Sequence, residues 1–200
     1  MLEGLVGLLL QAEISKAQIE VQDSVDSYYV AKADSATGHV IEVTYDVNSR
    51  GEITGDLEEF RNVVAETLSD SRGWVRANVK FTEVENGGRL HMVLAAPAEV
   101  AAASSGCSDK LSCTVKPYVA INDNRWMGAT DTYNNAGETL LNYRRMVLNH
   151  ETGHWLGHDH LTSCSDYNNL APIMMQQSID LRGCSANPWP LNDELWTRGV

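Results

Sequence analysis

The sequence predicts an α+β fold in which a sheet-and-helix part is followed by a loop-rich part. Between residues 40 and 123, several short segments have the patterns of strands and are interrupted by one amphipathic helix. A longer helical segment covers residues 138–156, and regular periodicity is almost absent after it. The chain has 200 residues, of which 43% are hydrophobic, and this is sufficient for one substantial core.

We expect residues 36–200 to form this domain, with an upper part to about residue 157 and a lower part at 158–200. Residues 1–35 are expected to be an N-terminal arm or linker, or the remnant of a leader. The apolar run LVGLLL there follows Glu3 instead of a basic segment, which is unusual for a complete leader. A pro-segment in which Asp23, Asp26 or Asp34 caps a metal ion is the alternative interpretation.

The predicted strands are recognised by alternation and by residue type. The segment VIEVTYDV alternates strictly, which is typical of a half-buried strand, and one side carries Ile41, Val43, Tyr45 and Val47. Further strands are predicted at NVKFTEV, RLHMVLAA and YVAIND, because β-branched and aromatic residues are concentrated there between turn-forming segments.

The first predicted helix is GDLEEFRNVVAETLSD. Asp56 is a candidate N-cap, and Glu59 follows it three residues later, as in a capping box. Apolar residues recur on one face of this helix, namely Leu57, Phe60, Val64 and Leu68.

The second predicted helix covers residues 138–156 and is about 27 Å long. Leu141, Val147 and Leu148 are expected to pack under the sheet, whereas His150 and His154 are expected to face a cleft. Trp126 and Trp155 are interpreted as packing residues and not as pocket walls.

The segment NHETGHWLGHDHL combines residue types and spacings that suit a metal ion. His150 and His154 are four residues apart on a helix and therefore lie on one face, where two imidazoles can share one ion. Glu151 is about a hundred degrees around the helix, where its carboxylate can reach a water molecule on that ion without being a ligand. The pattern predicts His150 and His154 as ligands and Glu151 as the catalytic base.

A third ligand is required, because two nitrogen ligands leave zinc under-coordinated. Gly157 can adopt the left-handed conformation that ends a helix, so that His160 folds back toward the ion. Asp159 is the alternative third ligand. His158 fits no ligand position and is expected to face solvent or to support a ligand.

The complete pattern HExxHxxGxxH, from His150 to His160, resembles the extended motif of the metzincin clan of zinc metallopeptidases. Downstream, APIMMQQS resembles the methionine-containing turn that lies beneath the metal in that clan, with Met174 at the key position and Met175 as the alternative. Five segments also occur in the order seen in an uncharacterised bacterial family of secreted metzincin-like proteins, over roughly residues 40–190. These are MVLAAPAEV, INDNRWMGAT, YRRMVLNHETGHWLGHDH, APIMMQQS and GCSANPWP.

The resemblance implies a metzincin-like zincin fold. In this fold a twisted mixed sheet carries a backing helix and an active-site helix, and a loop-rich lower subdomain with disulfides follows. The cleft is expected between the upper and lower parts.

The four cysteines lie in loop-like stretches and lack CxxC spacing, so disulfides are predicted in preference to a second metal site. Of the three connectivities, the local one pairs Cys107 with Cys113 and Cys164 with Cys184. Disulfides imply a secreted or cell-envelope protein, whereas four reduced thiols would imply the cytosol.

The expected function is zinc-dependent hydrolysis of peptide bonds by an endopeptidase with one Zn²⁺. A zinc-bound water would be the nucleophile, and Glu151 would be the general base and then the proton donor to the leaving nitrogen. Some metzincins place a tyrosine two residues after the turn methionine, but Gln176 stands there. The oxyanion is therefore left to zinc alone, to Tyr167 or to another group.

Two alternatives to a peptidase remain open. One is a secreted binding module that zinc stabilises without hydrolytic activity. The other is a hydrolase of a non-protein amide in the cell envelope. Glu151 discriminates against the first, because a structural zinc site is closed and needs no base beside a water molecule.

Charge and hydropathy restrict the partners. The formal net charge of −12 argues against nucleic acid and anionic membranes, and no stretch approaches the ~20 apolar residues of a membrane span. A peptide or protein substrate and a monomeric chain are expected. His39 and His91 are interpreted as structural, and of the two His91 could approach the cleft.

Overall fold

The computed structural model describes residues 40–198 and residue 200. The predicted N-terminal arm, with Asp23, Asp26 and Asp34, and the predicted structural residue His39 lie outside the described residues.

A mixed five-stranded sheet forms the centre of the upper part. Its strand order is β2-β1-β3-β5-β4, in which β4 pairs antiparallel with β5 and the other neighbours are parallel. The strands are β1 (Ile41–Arg50), β2 (Val79–Glu83), β3 (Leu90–Ala95), β4 (Cys113–Val115) and β5 (Tyr118–Asn122). All four predicted strands are therefore present, and the short edge strand β4 is the one that periodicity did not predict.

Alternation along the strands separates two faces of the sheet. In β1, Val43, Tyr45 and Val47 are buried in the main core, as the period-two pattern predicted. Asp46, on the opposite face, is also buried and accepts a hydrogen bond from the backbone N–H of Gly88 (2.8 Å). The opposite face thus contains a buried polar position that the sequence pattern does not reveal.

Within residues 40–198, five α-helices connect or cover the strands: α1 (Leu57–Ser69), α2 (Pro97–Ala103), α3 (Asp123–Gly128), α4 (Asp131–Asn135) and α5 (Leu140–Leu156). Asp56 caps α1 as predicted, because its side chain accepts a hydrogen bond from the backbone N–H of Glu59 (2.8 Å). Helices α1 and α5 contribute to the main core together with the strands.

The burial of α5 corrects one prediction. Val147 and Leu148 are buried as expected, but Leu141 is 39% exposed and does not pack under the sheet. Leu141 lies in the first turn, which projects from the core, whereas nearly every residue from Tyr143 onward is buried. A helix that is buried on almost all sides has no single apolar stripe, so its contacts cannot be assigned from periodicity.

The lower part, from Gly157 onward, contains little regular structure. Two isolated bridges join Leu161 to Met175 and Leu170 to Ser185, and one 3₁₀ turn covers Asn192–Glu194. A second 3₁₀ turn, Trp74–Ala77, lies in the upper part. Among the described residues, helices and strands are thus concentrated before Gly157.

Both predicted disulfides are present. Cys107 is bonded to Cys113, and Cys164 to Cys184, so that the second bridge encloses the segment containing Met174. The α+β class, the mixed sheet and the local disulfide pairing are therefore confirmed. Two disulfides are compatible with an extracytoplasmic protein. Among residues 40–198, none of the helices combines the length and apolarity needed to cross a membrane.

Candidate metal centre

Three histidines predicted as ligands meet at the C-terminal end of α5. His150 and His154 lie one helical turn apart, and Gly157 ends the helix with a φ of 103°, in the left-handed region that favours glycine. The chain then returns, and the N–H of Leu161 donates to the carbonyl of Met174 (3.0 Å), which places His160 beside the helix. Ligand atoms of His150, His154 and His160 all lie within 4.8 Å of one another.

Hydrogen bonds determine which nitrogen atoms face each other in this cluster. Nδ1 of His150 is 2.7 Å from the carbonyl oxygen of Ile173, and Nδ1 of His154 is 2.9 Å from that of His158. A carbonyl oxygen only accepts, so both Nδ1 atoms carry protons and both Nε2 atoms keep a lone pair in the neutral rings. The unprotonated nitrogens of the two helical histidines are therefore available to a cation.

Burial keeps the first histidine neutral. It lowers the pKa of His150 to about 3, with a smaller contribution from the neighbouring His154. Burial also lowers the pKa of His160, which is the most exposed of the three. Neutral imidazoles are the form that binds a metal ion, so the environment favours ligation over protonation at neutral pH.

The donor set fits a divalent ion such as zinc. Nε2 of His154 and Nε2 of His160 are 3.0 Å apart, close to the ~3.3 Å between two nitrogens of a tetrahedral zinc site with bonds of about 2.0–2.1 Å. Three protein ligands leave a fourth position, and all three histidines line one open cleft. A site with three nitrogen ligands and an accessible fourth position is the arrangement found in catalytic zinc sites.

Glu151 lies beside the histidines but is not one of the clustered donors. Its side chain is buried, at 5% exposure, and lines the same cleft. Burial raises its pKa to about 7, although the hydroxyl of Thr114 donates to Oε2 at 2.7 Å and opposes the rise. A carboxyl group with a pKa near neutrality can both accept and return a proton at neutral pH.

Met174 packs directly under the histidine-bearing turn of α5. Its sulfur occupies the space that a Cβ atom on Gly153 would need, and Gly153 lies between the two helical histidines. Met175 is also buried, but it belongs to a separate cluster with Ala171 and Cys184. Of the two candidates, Met174 is therefore the one beside the histidine cluster.

Two residues near the motif have different environments from the ligands. His158 is buried, its ring makes tilted contacts with the rings of Trp74 and Trp196, and its Nε2 is 2.8 Å from the carbonyl oxygen of Trp196. The ring is not a member of the histidine cluster, and the group of His158 that meets His154 is its backbone carbonyl, 2.9 Å from Nδ1. Asp159 is exposed and lines the cleft without joining the cluster.

Two other candidates lie away from the cluster. His91 contacts the buried Asp46 through Nδ1 (2.8 Å) and stacks on Tyr118, and it does not line the cleft. Tyr167 packs against the cluster formed by Leu170, Trp189 and Leu191 and is not part of the cleft lining.

The cleft has a volume of about 490 Å³ and is lined by four segments of the chain. These are the disulfide loop with β4, helix α5, the turn that follows α5 at residues 157–160, and the segment that follows Met174. Residues that sequence patterns did not indicate include Thr114, Lys116, Gln177 and Ser178. Within the described residues no tyrosine lines this cleft, and Gln176 occupies the position considered for one.

These features define an α+β domain with two disulfides and a three-histidine candidate metal centre. The chain belongs to the family described as protein of unknown function DUF3152, whose model matches residues 21–192. The match includes the three histidines, Glu151 and Met174. Searches of curated proteins and of solved structures found no match.

Proposed function

We propose that this protein is a zinc metalloendopeptidase of the metzincin type. The observation that carries the proposal is the convergence of three histidine donors beside a buried glutamate in one open cleft. A site that only stabilised the fold would not need an accessible fourth position or a carboxylate next to it.

His150, His154 and His160 would hold the ion, because ligand atoms of all three lie within 4.8 Å of one another. When bound, zinc supplies an acidified water molecule and polarises the carbonyl of a substrate. The Nδ1 hydrogen bonds of His150 and His154 would keep both rings in the orientation required for binding.

Glu151 would move the protons of the reaction. As a carboxylate it takes a proton from the attacking water, and as a carboxylic acid it delivers that proton to the leaving amine nitrogen. Its pKa of about 7 suits both roles at neutral pH. Thr114 would hold the carboxylate in place through the hydroxyl at 2.7 Å from Oε2.

The position of β4 favours a peptide over other amides. Strand β4 is at the edge of the sheet, and Cys113 and Thr114 of this strand line the cleft. An extended peptide can pair with an exposed strand edge through its backbone, which a non-peptide amide cannot do. The peptidase is therefore preferred to hydrolysis of a non-protein amide in the cell envelope.

The metal site is tested by zinc content. Purified protein is expected to carry about one zinc ion per chain, and His154→Ala should lose it because two histidine ligands bind much more weakly than three. Asp159→Asn is the matched control, since Asp159 lines the same cleft but is not in the cluster. Full zinc content in His154→Ala, or its loss in Asp159→Asn, would contradict the ligand assignment.

The catalytic proposal is tested by Glu151→Gln. A mixed peptide library, followed by mass spectrometry, should reveal cleavage by the wild-type protein. The glutamine variant should be slower by at least the ~10²-fold typical of general-base loss, with unchanged zinc content. If the wild-type protein binds zinc and cleaves no peptide, the zinc-stabilised binding module becomes the better interpretation.

A further inference from the structure

We propose that a C-terminal strap, residues 194–198, sets the orientation of both helical histidines. The strap does so by holding the two backbone carbonyls that accept hydrogen bonds from His150 and His154. This inference rests on the metal site of the proposed function and assigns Glu194 and Trp196 as positioning residues for it.

Glu194 acts on the segment that orients His150. Its side chain is 2% exposed, and its carboxylate accepts hydrogen bonds from three backbone N–H groups. Oε1 accepts from Met174 (2.8 Å), and Oε2 accepts from Ile173 (2.9 Å) and Leu191 (2.8 Å). Three hydrogen bonds to one buried carboxyl group hold this segment in place.

The connection to His150 passes through a single peptide unit. The carbonyl of Ile173 and the N–H of Met174 belong to the same planar group. Glu194 accepts from the N–H side of this group, while Nδ1 of His150 donates to its carbonyl side (2.7 Å). A carboxylate on one side makes the carbonyl a stronger acceptor on the other, which in turn makes the opposite ring nitrogen a better ligand.

The second half of the strap acts on the turn that orients His154. Nδ1 of His154 donates to the carbonyl of His158 (2.9 Å), and the ring of His158 packs against that of Trp196, with 3.8 Å between centroids and a tilt of 35°. Nε2 of His158 is 2.8 Å from the carbonyl of Trp196, and the N–H of Arg198 donates to the carbonyl of Leu156 (2.8 Å). The turn that carries the His158 carbonyl is thus held from both ends.

The close approach of Arg198 to the end of α5 also explains why position 157 is a glycine. A Cβ atom there would lie 2.6 Å from the backbone oxygen of Arg198, in addition to the strain of its left-handed conformation. The strap therefore passes close against the end of α5, where the chain turns from His154 toward His160.

Substitutions at Glu194 separate positioning from simple stabilisation. Glu194→Gln keeps at most two of the three backbone bonds and removes the charge, since one end of the amide is a donor. Asp193→Asn is the matched control, because it removes a neighbouring charge from an exposed side chain. Zinc affinity is measured by competition with a chelator, and the ligand geometry is read from the visible absorption of the cobalt(II)-loaded protein.

We expect Glu194→Gln to lower zinc affinity by about 10- to 100-fold, the range typical of lost support to a ligand. The cobalt absorption bands at saturating metal should shift, while Asp193→Asn should match the wild-type protein in both measurements. Unchanged affinity and an unchanged spectrum in Glu194→Gln would overturn the proposal. A lower melting temperature with an unchanged cobalt spectrum would also overturn it, because Glu194 would then be only structural.

Trp196 provides an independent test through His154. Trp196→Ala should lower zinc affinity and alter the cobalt spectrum, and Trp196→Phe should restore both because it keeps a ring against His158. If Glu194→Gln does not fold, the two Trp196 variants still test whether the strap orients the histidines. Equal spectra for the alanine, phenylalanine and wild-type proteins would overturn the role of the strap at His154.

The outcomes also separate this inference from the proposed function. Wild-type protein that binds no cobalt would overturn both. Wild-type protein that binds cobalt and zinc but cleaves no peptide would overturn the peptidase and leave the strap standing. If the wild-type protein cleaves peptides and the strap variants have unchanged zinc affinity and cobalt spectra, only the role of the strap is overturned.

Discussion

Replacing Glu151 by glutamine is expected to stabilise the metal-free protein at pH 8. Burial raises the pKa of Glu151 from its ordinary value of 4.5 to about 7. At about 1.4 kcal/mol per pH unit, this rise corresponds to about 3 kcal/mol of folding free energy that is lost when the carboxyl group ionises. Glutamine avoids this loss because it stays neutral, and its amide oxygen can still accept the hydroxyl of Thr114.

The sign of the effect follows from the direction of the shift. A carboxyl group whose pKa is raised on folding holds its proton more tightly in the folded state. Its contribution to stability is therefore complete below pH 4.5 and is lost as the pH rises to about 7. The glutamine variant should be about 3 kcal/mol more stable than the wild-type protein at pH 8 and nearly equal to it at pH 4. The low pKa of His150 reduces stability in acid, but it does so in both proteins and cancels in the difference.

Urea denaturation of chelator-treated protein at both pH values measures this difference directly. Adding zinc at pH 8 should remove most of the difference, because a nearby divalent cation stabilises the ionised carboxylate. A glutamine variant that is no more stable than the wild-type protein at pH 8 would refute the reasoning. An equal gain at pH 4 and pH 8 would also refute it, since the effect would then not arise from ionisation.

Three further predictions concern residues around the site. Thr114→Val removes a hydrogen bond to the carboxylate of Glu151, so the pKa of Glu151 should rise. The pH at which peptidase activity falls off on the acidic side should therefore move up by about one unit. An unchanged pH profile would contradict this. Gly153→Ala should destabilise the protein by about 1–2 kcal/mol in urea, because overpacking against a methionine sulfur outweighs the better helix propensity of alanine; a more stable variant would contradict the contact. Replacing Cys164 and Cys184 by alanine should lower the free energy of unfolding by about 3 kcal/mol, since the bridge closes a 20-residue separation; an unchanged urea midpoint would refute that estimate.

Much of the upper part was predictable because its elements have local signals. The alternation of β1 and the Asp56 cap of α1 both depend on neighbouring residues, and the structure confirms them. Strand β4 was missed because it has only three residues, begins at the second cysteine of a disulfide loop and pairs with β5 at the edge of the sheet. Leu141 was placed wrongly because α5 is buried on most sides, and apolar spacing then no longer identifies the face that meets the sheet.

Some residues of the site were likewise predictable from local sequence, and others were not. The grouping of His150 and His154 follows from helical spacing and the return of His160 from the turn at Gly157, so both could be read from one short segment. Thr114 could not be read in this way, because it is 37 residues from Glu151 and meets it only through the packing of β4 on α5. Glu194 lacks a sequence signal for the same reason, since it contacts Ile173 from 21 residues away.

The turn of α5 between residues 150 and 154 combines three features that are unfavourable for a metal-free helix. Glu151 is a buried carboxyl group, Gly153 is about 1 kcal/mol worse than alanine in a helix interior, and the lone pairs of His150 and His154 converge without a donor from either ring. Local rules of stability are most often broken where a protein has a function. A divalent cation would offset two of these features directly, and the glycine gives Met174 its place beneath the turn. Because one ion accounts for two of these departures within a single helical turn, the buried carboxyl group and the converging lone pairs support the proposed metal centre more strongly than the histidine spacing does alone.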